Sequence, residues 1–265
     1  MIVLSVNAGS SSLKFQAYDM PDETVLISGL FERIGMKESS YTIKLNGEKI
    51  KKEVELKNHE EALQILMDEL MENKIVESLD DIKAIGHRIV QGGSYFDRTV
   101  EMTDENIKKV RELSSLAPLH NPAAVKGIKA AKAVIPNALQ TGAFDTAFHH
   151  TISKERYIYP VPYKYYEKYK MRKYGFHGTS HRYVSARVAE LIGKKKEELK
   201  TVVCHLGQGA SLCAVLNGKS VDTSMGFTPV AGIPMCARSG DLDPSIVTFL
   251  MRKEGLTPDE IDTIL

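Results

Sequence analysis

Residues 2–20, IVLSVNAGSSSLKFQAYDM, open with a run in which Ile2, Val3, Leu4 and Val6 are apolar and mostly β-branched, as in a buried strand. NAGSSS interrupts the run. Leu13, Phe15 and Ala17 then alternate with Lys14, Gln16 and Tyr18, the period of a half-buried strand. The stretch therefore predicts two strands joined by a small-residue turn with a lysine just beyond it. About 200 residues later TVVCHLGQGASLCAVLN repeats the plan: an apolar run, a turn of Gly and small polar residues, then Ser-Leu leading an outgoing strand. The match is weak residue by residue, and coincidence between two hairpins is the alternative, but the shared plan slightly favours a duplicated domain.

The rest of the composition sets bounds. The chain has 265 residues, enough for one large domain or two ordinary ones. Its 35 Lys and Arg against 34 Asp and Glu leave a formal charge of +1, which gives no electrostatic case for nucleic acid or an anionic membrane. Cys204, Cys213 and Cys236 are an odd set without C-x-x-C spacing, which argues against a disulfide framework or zinc site and fits a reducing cytoplasm. The N-terminus does not read as a signal peptide, and no apolar run reaches the ~18 residues of a membrane span.

Between the two hairpins the chain reads as alternating elements. A β-leaning region runs to about Glu55. Asn58 with Glu61 forms a capping-box-like start for a helix whose stripe is Leu63, Leu66, Met67, Leu70 and Met71. IKAIGHRIVQGG predicts a strand ending at Gly92-Gly93. Thr103 caps a helix through about Ser114. Asn121 is the expected N-cap, with Pro122 first in the helix, of a segment to about Val134. ALQTGAFDTAFHH reads as a buried strand running into a polar turn. Ser180 is expected to start a helix to about Leu191. Asp243-Pro244 and Thr257-Pro258 open two further helices, and the sequence stops after DEIDTIL, which suggests a fragment.

Several stretches suit anion chemistry. In NAGSSSLK, Gly9 permits a tight turn, Ser10, Ser11 and Ser12 supply hydroxyls, and Lys14 adds a charge. Alone, this is equally a Ser-rich hairpin turn. In HLGQGAS, Gly207 and Gly209 would let a phosphate approach the backbone. Arg88 in GHRIVQGG and Arg238 in IPMCARSGDLDP sit at element ends, where two guanidinium groups can clamp a carboxylate and a phosphoryl group. His120, Asp145 and His177 fall in LAPLHNP, FDTAFH and YGFHGTSH, and VDTSMGFTP is a polar turn leading to Pro229. Any one of these histidines alone is more often structural than catalytic.

Taken in order, NAGSSSLKF, GHRIVQGG, LAPLHNP, FDTAFH, RKYGFHGTSHRYVS, CHLGQGAS, VDTSMGFTP and RSGDLDP resemble the successive signature stretches of the acetate kinase family across essentially the whole chain. The resemblance implies an α/β fold of duplicated actin-like, ribonuclease H-like domains with mixed central sheets. Residues 1–148 would form the first domain and 149–265 an incomplete second one, the chain lacking the family's C-terminal third. It implies reversible, Mg²⁺-dependent (or Mn²⁺-dependent) phosphoryl transfer from ATP to acetate, giving ADP and acetyl phosphate. A cytoplasmic homodimer is the expected assembly.

By motif, Ser10, Ser12, Lys14, His205, Gly207, Gln208 and Gly209 would face nucleotide phosphates. Asn7 would be a metal ligand, with a carboxylate expected beyond Leu265. Arg88 and Arg238 would hold acetate and the transferring phosphoryl group, with Asp145 positioning Arg88 or its partners. His177 would contact the transition state and His120 would line the cleft. Val90, Leu119, Phe176 and Pro229 would house the acetate methyl. Because acetate is already ionised, its attack needs no general base, and direct in-line transfer is expected over a phosphohistidine route.

The chain departs from the family pattern at three places: Gln208 replaces a usual Asn, Cys236-Ala237 a usual Gly-Thr, and Gln91 a frequent His. A side chain at 236 is expected to restrict the backbone beside Arg238. A propionate or butyrate kinase, and a non-catalytic fragment, stand as alternative readings.

Overall fold

The computed structural model describes residues 1–265. The chain divides into two compact units, Met1–Phe144 and Asp145–Leu265.

Unit one is built on an eight-stranded mixed sheet. β1 (Ile2–Ala8) and β2 (Ser12–Asp19) form the opening antiparallel hairpin, and β3 (Thr24–Glu32), β4 (Ser40–Leu45) and β5 (Glu48–Glu53) continue it as a meander. Helix α1 (His59–Glu72) follows, then β6 (Ile82–Ile89), the two-residue β7 (Val100–Glu101), α2 (Asp104–Glu112), α3 (Asn121–Val134) and β8 (Leu139–Phe144). The strand order is β5-β4-β3-β2-β1-β6-β8-β7, with β1, β6 and β8 parallel. Leu4 and Val6 of β1, Leu13, Phe15 and Ala17 of β2, and Leu63, Leu66, Met67 and Leu70 of α1 join one buried core. Alternation on the strands and 3.6-residue spacing on the helix make those residues face one another. Gly127 lets α3 approach the end of β1, because a Cβ there would stand 2.7 Å from that of Ala8.

Unit two carries α4 (Lys154–Tyr157), α5 (Lys164–Tyr169) and α6 (Gly178–Leu191), then an antiparallel sheet of β9 (Lys200–Leu206), β10 (Ala210–Leu216) and β11 (Lys219–Thr223), and finally α7 (Pro244–Glu254) and α8 (Pro258–Ile264). Its strand order, β11-β10-β9, repeats β3-β2-β1 of unit one, as the recurring sequence plan predicts. The other edge of β9 is unpaired, and Val202 and Leu206 on it are 68% and 72% exposed.

Several boundaries differ from the sequence expectation. β6 ends at Ile89, short of Gly92-Gly93. Glu61 accepts from the N–H of Lys57 at 2.7 Å, one residue before the cap, while Asn58 caps α1 as expected. Asn121 does not cap α3: His120 holds that position, and the buried Asn121 amide bonds the main chain of Gln91 on both sides, at 3.2 and 2.9 Å. α6 begins at Gly178 rather than Ser180, because the Gly178 N–H is bonded to the carbonyl of Asp145 at 2.8 Å. The 3-10 turn Ala147–Thr151 packs on β11 and α6, within the unit that begins at Asp145.

Candidate active site

In unit one the β1–β2 turn is tied down at three points. Gly9 N–H donates to the Ser12 carbonyl at 2.8 Å, Ile34 N–H to the Ser11 carbonyl at 2.9 Å, and the buried His59 Nε2 to the Gly9 carbonyl at 2.8 Å. Asn7 and Lys14 are register partners, so strand alternation puts Asn7, Ser12 and Lys14 on one face of the sheet. Val6 pairs His87 in the parallel ladder, which turns Arg88 to that same face, away from the buried His87. Ser10 lies at the tip and lines a cavity of about 520 Å³ with Lys57, Lys126 and Lys129. Asn7, Ser12, Lys14 and Arg88 thus give one face of the central strands a polar, anion-compatible character, while the lysine-lined cavity, which Glu60 also lines, lies on the α1 and α3 side.

Val90, half-buried, follows β6. Next to it Gln91 is fully buried. Its Oε1 accepts from Gly93 N–H at 2.9 Å, and its Nε2 finds no partner. Leu119 is 77% exposed and His120, at the start of α3, is exposed as well.

Unit two brings its candidates together around the β9–β10 turn. A Cβ on Gly209 would stand 3.3 Å from Arg238 Nη1 and 3.4 Å from Cε1 and Nε2 of His177, so all three groups crowd one point. Arg238 is held by Nη1 donating to the Pro229 carbonyl at 3.3 Å. The loop bearing Pro229 is pinned in turn by Tyr159, whose hydroxyl accepts from Phe227 N–H at 2.8 Å, and by Tyr174 and Gly175 N–H groups donating to the Gly226 carbonyl. Gly207 and Gln208 form the exposed tip of the turn. Cys236 and Ala237 are the exposed centre of another turn, closed by Met235 N–H on the Arg238 carbonyl at 3.0 Å. Cys236 lies outside the left-handed region, so its side chain is not strained in the way a positive φ would impose.

His177 precedes α6 with φ 58° and ψ 17°, a left-handed conformation uncommon for a residue with a side chain. Its ring lies against His205 with centroids 4.0 Å apart and the planes tilted by 31°. His177 Nδ1 lies 2.8 Å from Ser211 Oγ, and His181 Nε2 lies 2.8 Å from the same oxygen. His205 Nδ1 pairs with Ser180 Oγ at 2.9 Å. Behind them His149 joins Ser220 Oγ at 2.9 Å and the Phe176 carbonyl at 3.0 Å, fixing the segment before His177, and Phe176 itself is buried. Burial pushes His149 down to about 4; the bond to the Phe176 carbonyl opposes this only in part. Burial, and then the neighbouring His149, His177 and His205, push His181 down to about 3.

Sequence reading brings Arg238, His177, His205 and Gly209 to this place but passes over Ser211, His181 and His59. The i, i+4 spacing of His177 and His181 across the start of α6 is the one local signal that marks a pair. Asp145 and Thr146, both buried, follow β8 and anchor α6 through the Asp145 carbonyl.

The sequence model of the acetokinase family matches residues 2–265. Acetate kinase 2 of Listeria monocytogenes is 52% identical over 262 residues, which are 99% of this chain and 66% of the relative; this chain therefore spans about two thirds of that relative's length. The crystal structure of Porphyromonas gingivalis acetate kinase superposes with a TM-score of 0.95 at 44% identity, covering 99% of this chain and 67% of that one. A propionate kinase from Francisella tularensis superposes with a TM-score of 0.93 at 40% identity, covering 100% and 67%.

Proposed function

The chain belongs to the acetokinase family, and from that premise we propose that it carries the phosphoryl-transfer site of an acetate kinase. The reaction is reversible transfer of the terminal phosphoryl group of ATP to acetate, giving ADP and acetyl phosphate. The observation that carries this reading is the convergence of Arg238, the His177 ring and the Gly209 turn within 3.4 Å of one point.

In the proposed step an acetate oxygen forms a bond to the γ-phosphorus as the bond to the ADP oxygen breaks. No proton moves, since acetate arrives ionised. The task is to bring two anions together and to stabilise charge on the equatorial oxygens. Arg88 and Arg238 hold the carboxylate and the phosphoryl group. His177 donates from its ring to a phosphoryl oxygen. The Ser10–Ser12 turn, Lys14, His205 and the Gly207–Gly209 turn receive nucleotide phosphates, and His120 lines the site. Asp145 supports this machinery from the end of β8.

No three His, Cys, Asp or Glu side chains cluster as a metal cage in this chain. Asn7, facing the same side as Lys14, would hold Mg²⁺ or Mn²⁺ through its amide oxygen. Such a cation neutralises phosphate charge during transfer.

Val90, Leu119, Phe176 and Pro229 are the proposed acyl-contacting residues. A propionate- or butyrate-directed enzyme is the second reading, favoured by the similarity to the Francisella propionate kinase. One methylene is worth about 1–3 kcal/mol, so competition among acids of increasing length decides between them. No helix is long and apolar enough to cross a membrane, and a cytoplasmic homodimer without nucleic-acid partners is the proposed setting.

The test is acetyl phosphate formation from ATP, Mg²⁺ and acetate, trapped with hydroxylamine. It uses the 265-residue chain and the same chain continued to its relatives' length. Product above an Arg88→Ala, Arg238→Ala control supports the reading; none from either chain overturns it.

A further inference from the structure

We infer that Ser211 and His181 are positioning residues that fix His177 as its Nε2–H tautomer, through the directed chain His181 Nε2–H to Ser211 Oγ–H to His177 Nδ1. Three distances define the unit: both histidine nitrogens lie 2.8 Å from the Ser211 oxygen, and the far edge of the His177 ring lies 3.4 Å from a Cβ placed on Gly209.

The direction follows from counting protons. Ser211 Oγ can accept two bonds but is fully buried, and the two imidazole nitrogens are its only side-chain partners, so its one hydrogen is satisfied only by donating to one of them while it accepts from the other. His181 is fully buried, and its other nitrogen, Nδ1, has no hydrogen-bond partner. A buried N–H without an acceptor is costlier than a lone pair without a donor. Burial keeps His181 neutral near pH 7, its pKa lying at about 3, so it carries a single proton, and that proton belongs on Nε2, where Ser211 accepts it. The Ser211 hydrogen must then point to His177 Nδ1, which is an acceptor only if its own proton sits on Nε2. That atom is on the edge directed at Gly209 and Arg238. The arrangement of a buried, one-sided histidine behind a buried serine thus holds His177 with its proton toward the proposed phosphoryl position. Neither His149, bonded to Ser220 and Phe176, nor His205, bonded to Ser180, competes for the Ser211 oxygen.

That His177 donates to a phosphoryl oxygen rests on the function proposed above; the tautomer does not. Ring ¹⁵N NMR of the 265-residue chain at neutral pH tests it directly. The expected spectrum has His177 Nδ1 unprotonated and Nε2 protonated, unchanged in Ser211→Thr and His181→Gln, which keep a hydroxyl and a donor, and lost to a tautomer mixture in Ser211→Ala. A His177 Nδ1–H in the wild type, or an Nε2–H tautomer as pure in Ser211→Ala as in wild type, overturns the inference. If Ser211→Ala does not fold, the wild-type and Ser211→Thr spectra still decide. In an active preparation Ser211→Ala is expected to lose roughly ten- to hundredfold in kcat with the acetate KM unchanged, by analogy with the groups that orient other functional histidines. Absence of phosphoryl transfer in every chain would remove the proposed function and leave the spectrum as the answer on the tautomer.

Discussion

Arg238 Nη1 stands 3.3 Å from the point a Cβ would occupy on Gly209, and the His177 ring reaches the same point from 3.4 Å. The approach to Arg238 is tighter than most side-chain contacts, so a side chain at 209 makes the guanidinium give way, with the ring already at the limit of ordinary contact. Gly209→Ala should displace the guanidinium or the ring by a few tenths of an ångström. Since a misplacement of ~1 Å costs on the order of 10²-fold in a positioned reaction, we expect about a tenfold loss of turnover in the hydroxylamine assay. Gly209 does not have a positive φ, so the thermal midpoint should hardly change. Unchanged turnover would mean that the turn and Arg238 do not share a substrate.

Arg238→Lys tests the fork. Both hydrogen bonds of Arg238, to the Pro229 carbonyl and the Met235 sulfur, use Nη1, which leaves the Nε–Nη2 edge as the bidentate face. Lysine keeps the charge and loses that edge. A fall of roughly 10²–10³-fold in kcat is expected, the scale of losing one preorganised donor. Near-normal turnover would remove Arg238 from the anion-holding role.

His177→Ala should act on kcat more than on the acetate KM, again by roughly 10²–10³-fold. An effect confined to KM would mean that the ring binds ground state and transition state equally.

What the sequence made legible follows from range. The opening hairpin, its recurrence in β9–β10, and the starts of α7 and α8 depend on neighbours: alternation, a turn, and an Asp-Pro or Thr-Pro cap whose side chain bonds two or three residues on. Asn121 has the local look of a cap, yet its amide serves Gln91, 30 residues earlier. Gly178 starts α6 because of a bond to Asp145, which no local pattern announces. The candidate site divides the same way. Arg238, His177 and Gly209 sit in long ordered motifs, whereas Ser211 and His59 matter only through partners 30 or more residues distant, His181 and Gly9.

Acid should destabilise unit one through His87. This side chain is buried and donates from Nε2 to Gln140 Oε1 at 2.8 Å; burial pushes it down to about 4, the Gln140 bond opposing that only in part. Its ordinary value is about 6.5. Between those two values the unfolded chain binds a proton that the folded chain does not, so stability rises with pH across that window. The contribution is fully present above about pH 6.5 and is lost as pH falls toward 4, to the extent of roughly 3 kcal/mol for this group. His149, pushed down to about 4, and His181, to about 3, add losses of the same sign in unit two. His87→Gln keeps a donor toward Gln140 and does not titrate. It should lower stability at pH 7 but shrink the difference between pH 7 and pH 5 in urea unfolding of the β1–β8 unit, followed by exchange of its strand amides. A pH difference as large in His87→Gln as in wild type would show that His87 is protonated in the folded chain, or that its site opens to water before unit one unfolds.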